Sequence, residues 1–212
     1  MAHDPIVVVG GGLAAGKLAS EYRAAGGEAV VTILGAEPDP PYSRPPLTKA
    51  FLRGEMDREG PLVRPPAEYE DEVIELRLGT TVERIDPDAH EVELASGERV
   101  PYGTLVIATG ARPRPLPIPG GDLVGVHTYR TLADAETVRE AAEEAHSAIV
   151  VGGSFIGAET AASLRMRGLT VTIVEMGAAL MPQSARPRCR RSSQPGTARR
   201  ASRCCSRRSS RS

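Results

Sequence analysis

Tryptophan is absent from this 212-residue chain, phenylalanine occurs twice, and aromatic residues make up only 3% of it. A core so poor in rings must be built from Val, Ala, Leu and Gly, which suits an α/β protein. No apolar run comes near the roughly 20 residues that a membrane-spanning helix needs. A signal peptide is not legible either: Ile6–Val9 is too short for the apolar region, and His3-Asp4-Pro5 supplies no basic stretch before it. The expectation is a cytoplasmic protein with no membrane partner. Cysteine is missing from the body of the chain, because Cys189, Cys204 and Cys205 all lie near its end. The body can therefore form neither a redox disulfide nor a cysteine metal site. His3, His90, His127 and His146 show no clustering that suggests a metal or a catalytic base. No metal is expected, and Tyr42 is read with them as a solvated or core residue.

The formal net charge of −1 averages two unlike segments. Residues 182–212 hold ten arginines and no acid, which leaves 16 basic against 27 acidic residues in the body, a balance of −11. A body this acidic gives no electrostatic reason to bind nucleic acid.

What is present is one pattern played twice. Ile6-Val7-Val8-Val9 is a β-branched run fit for a strand buried on both faces. Glycines follow at once, residues 13–25 read as a helix of small residues, Gly26-Gly27 stops it, and residues 29–34 make a second strand. Strand, helix and parallel strand within about 30 residues is the unit that dinucleotide folds require. Residues 38–46 are too rich in proline for a regular element and must form an extended loop. Residues 47–52 open a short helix, and 53–66 are polar and irregular. Residues 74–78, 81–85 and 91–94 alternate like half-buried strands, whereas Leu105-Val106-Ile107-Ala108 is a continuous buried run. The mixture predicts an antiparallel meander attached to a mainly parallel sheet. Residues 112–119 contain four prolines and read as an extended crossover between domains. Beyond it, Thr131 and Asp134 form a capping box for a helix over 132–145. A strand at 148–151, a glycine turn at 152–157, a helix at 158–167 and a strand at 170–174 then repeat the unit.

Each copy carries a phosphate-binding fingerprint. The first, Gly10-Gly11-Gly12-Leu13-Ala14-Ala15, fits G-x-G-x-x-A directly after a strand. Gly10 permits the tight turn, Gly12 lets the backbone approach a pyrophosphate, and Ala15 lets helix and strand pack closely. The helix N-terminus offers free N–H groups and partial positive charge to the phosphates. Glu37, 27 residues after Gly10, is placed to accept hydrogen bonds from a ribose. The second fingerprint, Gly152-Gly153-Ser154-Phe155-Ile156-Gly157, has Ser154 in place of the middle glycine, and Glu175 closes its second strand. A carboxylate there bonds to ribose hydroxyls and repels a 2′-phosphate, which favours NAD over NADP.

At Pro41-Tyr42-Ser43-Arg44-Pro45-Pro46-Leu47-Thr48-Lys49, together with both fingerprints and Ala108-Thr109-Gly110, the chain resembles the FAD-dependent pyridine nucleotide reductases. Within them it looks most like the ferredoxin reductase and apoptosis-inducing-factor-like branch. The resemblance runs over residues 5–181 and rests on five motifs in order. It implies an α/β fold: an FAD/NAD(P)-binding, Rossmann-like doubly wound parallel sheet with an antiparallel meander, then an incomplete second Rossmann unit. It also implies a division into 1–112 for FAD, 113–181 for part of an NAD domain, and a tail at 182–212. By the same resemblance, Gly10, Gly12 and Ala15 hold the FAD pyrophosphate and Glu37 the adenosine ribose. Arg44, Pro45 and Lys49 line the flavin, with Lys49 near its N5 edge. Val82 touches the adenine side, Thr109, Gly110 and Arg112 follow the cofactor, and Glu159 pairs with Lys49. Gly152, Ser154, Gly157 and Glu175 take NAD. Read without the resemblance, Lys49 is a solvated lysine and Glu159 a residue of an exposed helix face. The chemistry stands independently: hydride delivered to a flavin builds negative charge that a fixed ammonium stabilises, and a carboxylate keeps that ammonium charged and oriented. Disulfide reductases place a Cys-x₄-Cys pair in this loop, and here residues 42–49 contain no cysteine. The implied activity is electron transfer from NADH through FAD directly to an acceptor, of the ferredoxin or Rieske type.

The segment 183–212 is rich in Arg, Ser, Pro and Cys and lacks apolar periodicity. Three readings remain open: a basic arm, a regulated disordered region, or out-of-frame translation, which the abrupt change inside a domain favours. The last predicts that shifting the coding frame after Met181 restores a helix-forming, acid-containing sequence. With family members continuing beyond this point, the alternative to a working reductase is a truncated, catalytically inactive nucleotide-binding fragment.

Overall fold

The computed structural model describes residues 4–177 and Leu180. The tail, the three cysteines and His3 lie outside the described residues. The described residues fall into two compact units, one of residues 4–44 with 59–114, the other of 45–58 with 115–177 and Leu180.

The first unit is built on β1 (Ile6–Val9), α1 (Leu13–Ala24) and β2 (Val31–Leu34), joined by α2 (Pro66–Asp71), β3 (Ile74–Arg77) and β7 (Thr104–Ile107). These four strands form a parallel sheet in the order β3-β2-β1-β7, with Val9 level with Leu34 on one side and Ile107 on the other. Successive residues of β1 point to opposite faces, and both are covered. Val8 packs with Ala15 and Ala19 of α1, Ile33, and Tyr69. Val7 and Val9 pack with Leu34, Val92 and Leu94. Complete burial of such a side chain stabilises by roughly 1.5–3 kcal/mol. Ala15 and Ala19, one turn apart and fully buried, bring the helix axis close to the sheet. Gly26, at φ +82, ends the helix in the left-handed region that glycine tolerates.

The antiparallel meander is β4 (Val82–Asp86), β5 (Glu91–Leu94) and β6 (Arg99–Pro101), in that order. Three differences from the sequence expectation have physical causes. The alternating segment 74–78 pairs in parallel with β2 as an edge strand of the main sheet. The third meander strand, β6, is too short to show a period. Leu105-Val106-Ile107-Ala108 is not buried throughout, because β7 ends the sheet order and Ile107 is largely exposed. Inside the stretch read as irregular, Pro66 starts α2, as proline at a first helical turn does.

The second unit contains α3 (Leu132–Glu144), β8 (Ser147–Val151), α4 (Phe155–Met166) and β9 (Thr170–Val174). Thr131 and Asp134 form the reciprocal capping box anticipated for α3. β8 and β9 pair in parallel from Ser147↔Thr170 to Val151↔Val174. Their core is Ala142, Ala161, Leu164, Leu169, Val171 and Leu52, the last contributed by residues 45–58. Ile149 is 72% exposed, and Val151 and Val174 are exposed beside it. α4 starts at Phe155, three residues earlier than the glycine turn suggested, so Gly157 lies in its first turn.

Candidate functional site

In the first unit the chain turns at Gly10, whose φ of +115 and close backbone neighbours exclude any side chain. An added Cβ would stand 2.3 Å from the Ala108 carbonyl oxygen. Gly11 faces Gly35 less tightly, with a Cβ on it 3.0 Å from the Gly35 Cα. Gly12 is the N-cap of α1, no side chain caps that helix, and nothing lies within 4 Å of where its Cβ would be. A helix N-terminus with no capping side chain and room at its N-cap fits a pyrophosphate.

Glu37 stands three residues past β2. Its Oε1 accepts from Arg44 at 2.8 Å, and its Oε2 accepts from the Tyr42 hydroxyl. Arg44 also donates to that hydroxyl at 3.1 Å and lies over the Tyr42 ring. Tyr42 is buried, so it is the post that fixes both charged neighbours and not a solvated residue. A carboxylate has about four acceptor positions, so Glu37 retains capacity for a ribose.

The second cradle repeats the turn with different parts. Gly152 takes φ +103, and a Cβ on Gly157 would lie 1.9 Å from the Gly152 carbonyl oxygen. Ser154 is the N-cap of α4, yet its hydroxyl does not cap the helix. Glu175 follows β9 directly and closes the loop: Oε2 accepts from the Gly153 N–H at 2.5 Å and Oε1 from the Gly177 N–H at 2.8 Å. The hydrogen bonds from Gly177 and then Gly153 hold its carboxyl below the usual carboxylate range, against a smaller opposing effect of burial.

Also in the second unit, residues 45–52 carry Lys49. Phe51 N–H reaches back to the Pro46 carbonyl, making a π-type turn over Leu47–Phe51, and Lys49 leaves the helical region at φ −120, ψ −111. The turn is held by its carbonyls. Tyr129 donates to Leu47 O at 2.6 Å, Ser163 to Thr48 O at 2.6 Å, and Arg167 to Leu52 O at 3.2 Å. The Lys49 ammonium donates to Glu159 Oε2 at 2.9 Å and to the Pro45 carbonyl at 3.3 Å. Thr48 donates to the same Glu159 oxygen at 2.7 Å. Burial tends to raise the Glu159 pKa, but hydrogen bonds from Lys49 and Thr48 outweigh it and hold the carboxyl below its ordinary value.

Of the remaining sequence candidates, Thr109 borders the Gly10 turn through its backbone N. Val82 opens β4 and is half-buried against Val92 and Leu94. Thr109 and Gly110 follow β7 at the same strand ends as Gly10, Gly110 at φ +69, and Arg112 is exposed beyond them. Sequence reasoning missed Gly35, Tyr42, Thr48, Tyr129 and Ser163. A signal for Ser163 existed: Glu159, Ser163 and Arg167 recur every four residues, the spacing of one helix face. Gly35 could also have been found, as a glycine placed immediately after β2 opposite a glycine turn.

The family described as pyridine nucleotide-disulphide oxidoreductase matches residues 4–194. Rhodocoxin reductase of Rhodococcus erythropolis is 44% identical over 170 residues, 80% of this chain and 40% of that protein. The ferredoxin–NAD(+) reductase component of the anthranilate 1,2-dioxygenase system of Burkholderia cepacia is 40% identical, covering 87% of this chain and 45% of its own length. Among solved structures, the covalent putidaredoxin reductase–putidaredoxin complex superposes with a TM-score of 0.83 at 34% identity, covering 90% of this chain and 46% of that one. The chain spans less than half the length of these relatives.

Proposed function

The chain belongs to the pyridine nucleotide-disulphide oxidoreductase family, and from that membership we propose that it carries the FAD and NADH sites of a reductase that passes electrons to a ferredoxin-type acceptor. The observation that carries this reading is the pair of cradles, each with an uncapped helix N-terminus and a fixed carboxylate beside the second strand. The relatives' names support the acceptor, since they are reductases of rhodocoxin and of a dioxygenase ferredoxin. They also favour electron transfer over an inactive fragment.

In this reading residues 1–112 serve FAD and 113–181 serve NADH. Gly10, Gly12 and Ala15 seat the pyrophosphate of FAD, Glu37 takes its ribose, and Val82 borders the adenine. Arg44, Pro45 and Lys49 line the flavin, and Thr109, Gly110 and Arg112 follow the cofactor. Gly152, Ser154 and Gly157 seat the NADH pyrophosphate, and Glu175 accepts from its ribose while disfavouring a 2′-phosphate by charge repulsion. A bound flavin supplies the hydride and electron chemistry. The chain would supply orientation and charge: Lys49 would present its ammonium to the flavin, and Glu159, 2.9 Å from it, would orient that ammonium. The loop 41–49 has no cysteine, so the electrons leave without a thiol relay. Helices long and apolar enough to cross a membrane are absent among the described residues.

The test is a flavin titration. Purified chain given FAD and then freed of unbound cofactor should stay yellow, and anaerobic NADH should bleach it faster than NADPH does. Protein that is colourless once unbound FAD has been removed would overturn the reading.

A further inference from the structure

α4 sends three side chains, at four-residue spacing, to residues 48–52. Glu159 meets Lys49 and Thr48, Ser163 meets the Thr48 carbonyl, and Arg167 meets the Leu52 carbonyl. The Lys49–Glu159 pair is too open to order itself: its side chains are 46% and 35% exposed. Pairs this exposed gain little over hydration and spend side-chain entropy to form. Thr48 is the opposite case. It is buried, its β-branch restricts χ1, and its hydroxyl donates to the very oxygen that Lys49 uses. Ser163, also buried, fixes Thr48 from the other side.

We propose that Thr48 is the positioning residue of the Lys49–Glu159 pair, its hydroxyl setting Glu159 Oε2 opposite the ammonium while Ser163 clamps the Thr48 carbonyl. The consequence for Lys49 is geometric. An ammonium has three donors; Pro45 O and Glu159 Oε2 take two, and the third is left for a ligand. Its direction is set by where Oε2 lies, and Thr48 decides that. The functional meaning of the device rests on the reading of Lys49 as the flavin-side ammonium, but its physical operation does not, because every group in it belongs to this chain.

The flavin-free full chain tests it. Carbon-13 carboxyl resonances are followed against pH, with Glu159 assigned by its loss in Glu159→Gln. Thr48→Val keeps the side chain's shape and removes the donor, so the proton affinity of Glu159 should rise roughly three- to tenfold, the net worth of one typical hydrogen bond. Thr48→Ser should restore it. Lys49 and Lys17 are the only lysines in the sequence, so trace acetylation read by mass spectrometry gives Lys49 reactivity with Lys17 as internal control. That ratio should move in Thr48→Val toward its value in Glu159→Gln and return in Thr48→Ser. A Glu159 titration and a lysine ratio both unchanged in Thr48→Val would overturn the proposal. If circular dichroism shows that variant unfolded, Ser163→Ala decides by the same two readouts: movement supports the clamp and no movement overturns it. A wild-type chain that refuses FAD while these shifts occur would refute the flavin reading and leave the clamp standing.

Discussion

The two cradles end their second strands on sequences that are nearly reversed. After Val31-Thr32-Ile33-Leu34 comes Gly35-Ala36-Glu37; after Val171-Thr172-Ile173-Val174 comes Glu175-Met176-Gly177. Glycine and glutamate have exchanged places, and the physics of each loop follows. In the first, Gly35 lets the Gly11 backbone approach to contact distance, and Glu37 is left to the side chains of Tyr42 and Arg44. In the second, the carboxylate itself meets the glycine loop and bonds two backbone N–H groups. One cradle is closed by backbone packing with its acid held at a distance, the other is closed by its acid. The same strand-turn-helix unit is thus stabilised by van der Waals fit in one copy and by charge in the other.

The largest effect should come from the turn glycines. Gly10→Ala puts a Cβ 2.3 Å from a carbonyl at a φ of +115, a cost of about 3 kcal/mol or more. Its thermal unfolding should fall well below that of Gly12→Ala, where the Cβ meets nothing and the N-cap change costs about 1 kcal/mol. Equal melting of the two variants would break the packing half of the comparison. Glu175→Ala comes next. It leaves the buried Gly153 N–H without its acceptor, about 1–3 kcal/mol of local stability, while water can replace the acceptor of the exposed Gly177 N–H, and it removes the repulsion toward a 2′-phosphate. Hydrogen exchange at Gly153 should accelerate and NADPH should gain on NADH, whereas Glu37→Ala should leave exchange at Gly11 unchanged.

Acid should separate the cradles too. The folded Glu175 pKa lies below the ordinary 4.5, so its contribution is complete above that value and is lost as pH falls through the lowered folded pKa. Gly153 protection, corrected for intrinsic exchange, should drop on that acid limb and the limb should flatten in Glu175→Gln. Gly11, packed on Gly35, should show no such limb. The smallest effect belongs to Tyr42→Phe, which removes one donor to Glu37 while Arg44 remains. About 0.5–1.5 kcal/mol of stability should go, with a modest loss of FAD affinity by calorimetry.

Much of this architecture was legible because it is written locally. The strand at 6–9, the glycine turns, the Thr131–Asp134 cap and the β-branched runs each depend on a few adjacent residues. What escaped depends on pairs far apart in the chain. Nothing around Tyr42 says that its hydroxyl will meet Glu37, and nothing around Thr48 says that Ser163 will hold its carbonyl. The burial of β7 failed for a related reason: a run of Leu, Val and Ile cannot tell whether its strand will be central or at a sheet edge. The Lys49–Glu159 contact came into view only through family resemblance, since each residue alone reads as solvated.

The division of labour between the cradles is the central claim, and hydrogen exchange of the chain with each nucleotide tests it most directly. FAD should protect amides around residues 11–15 and NADH those around 153–157, each leaving the other cradle unchanged. Protection of the first cradle by NADH alone, or of neither cradle by either nucleotide, would contradict it.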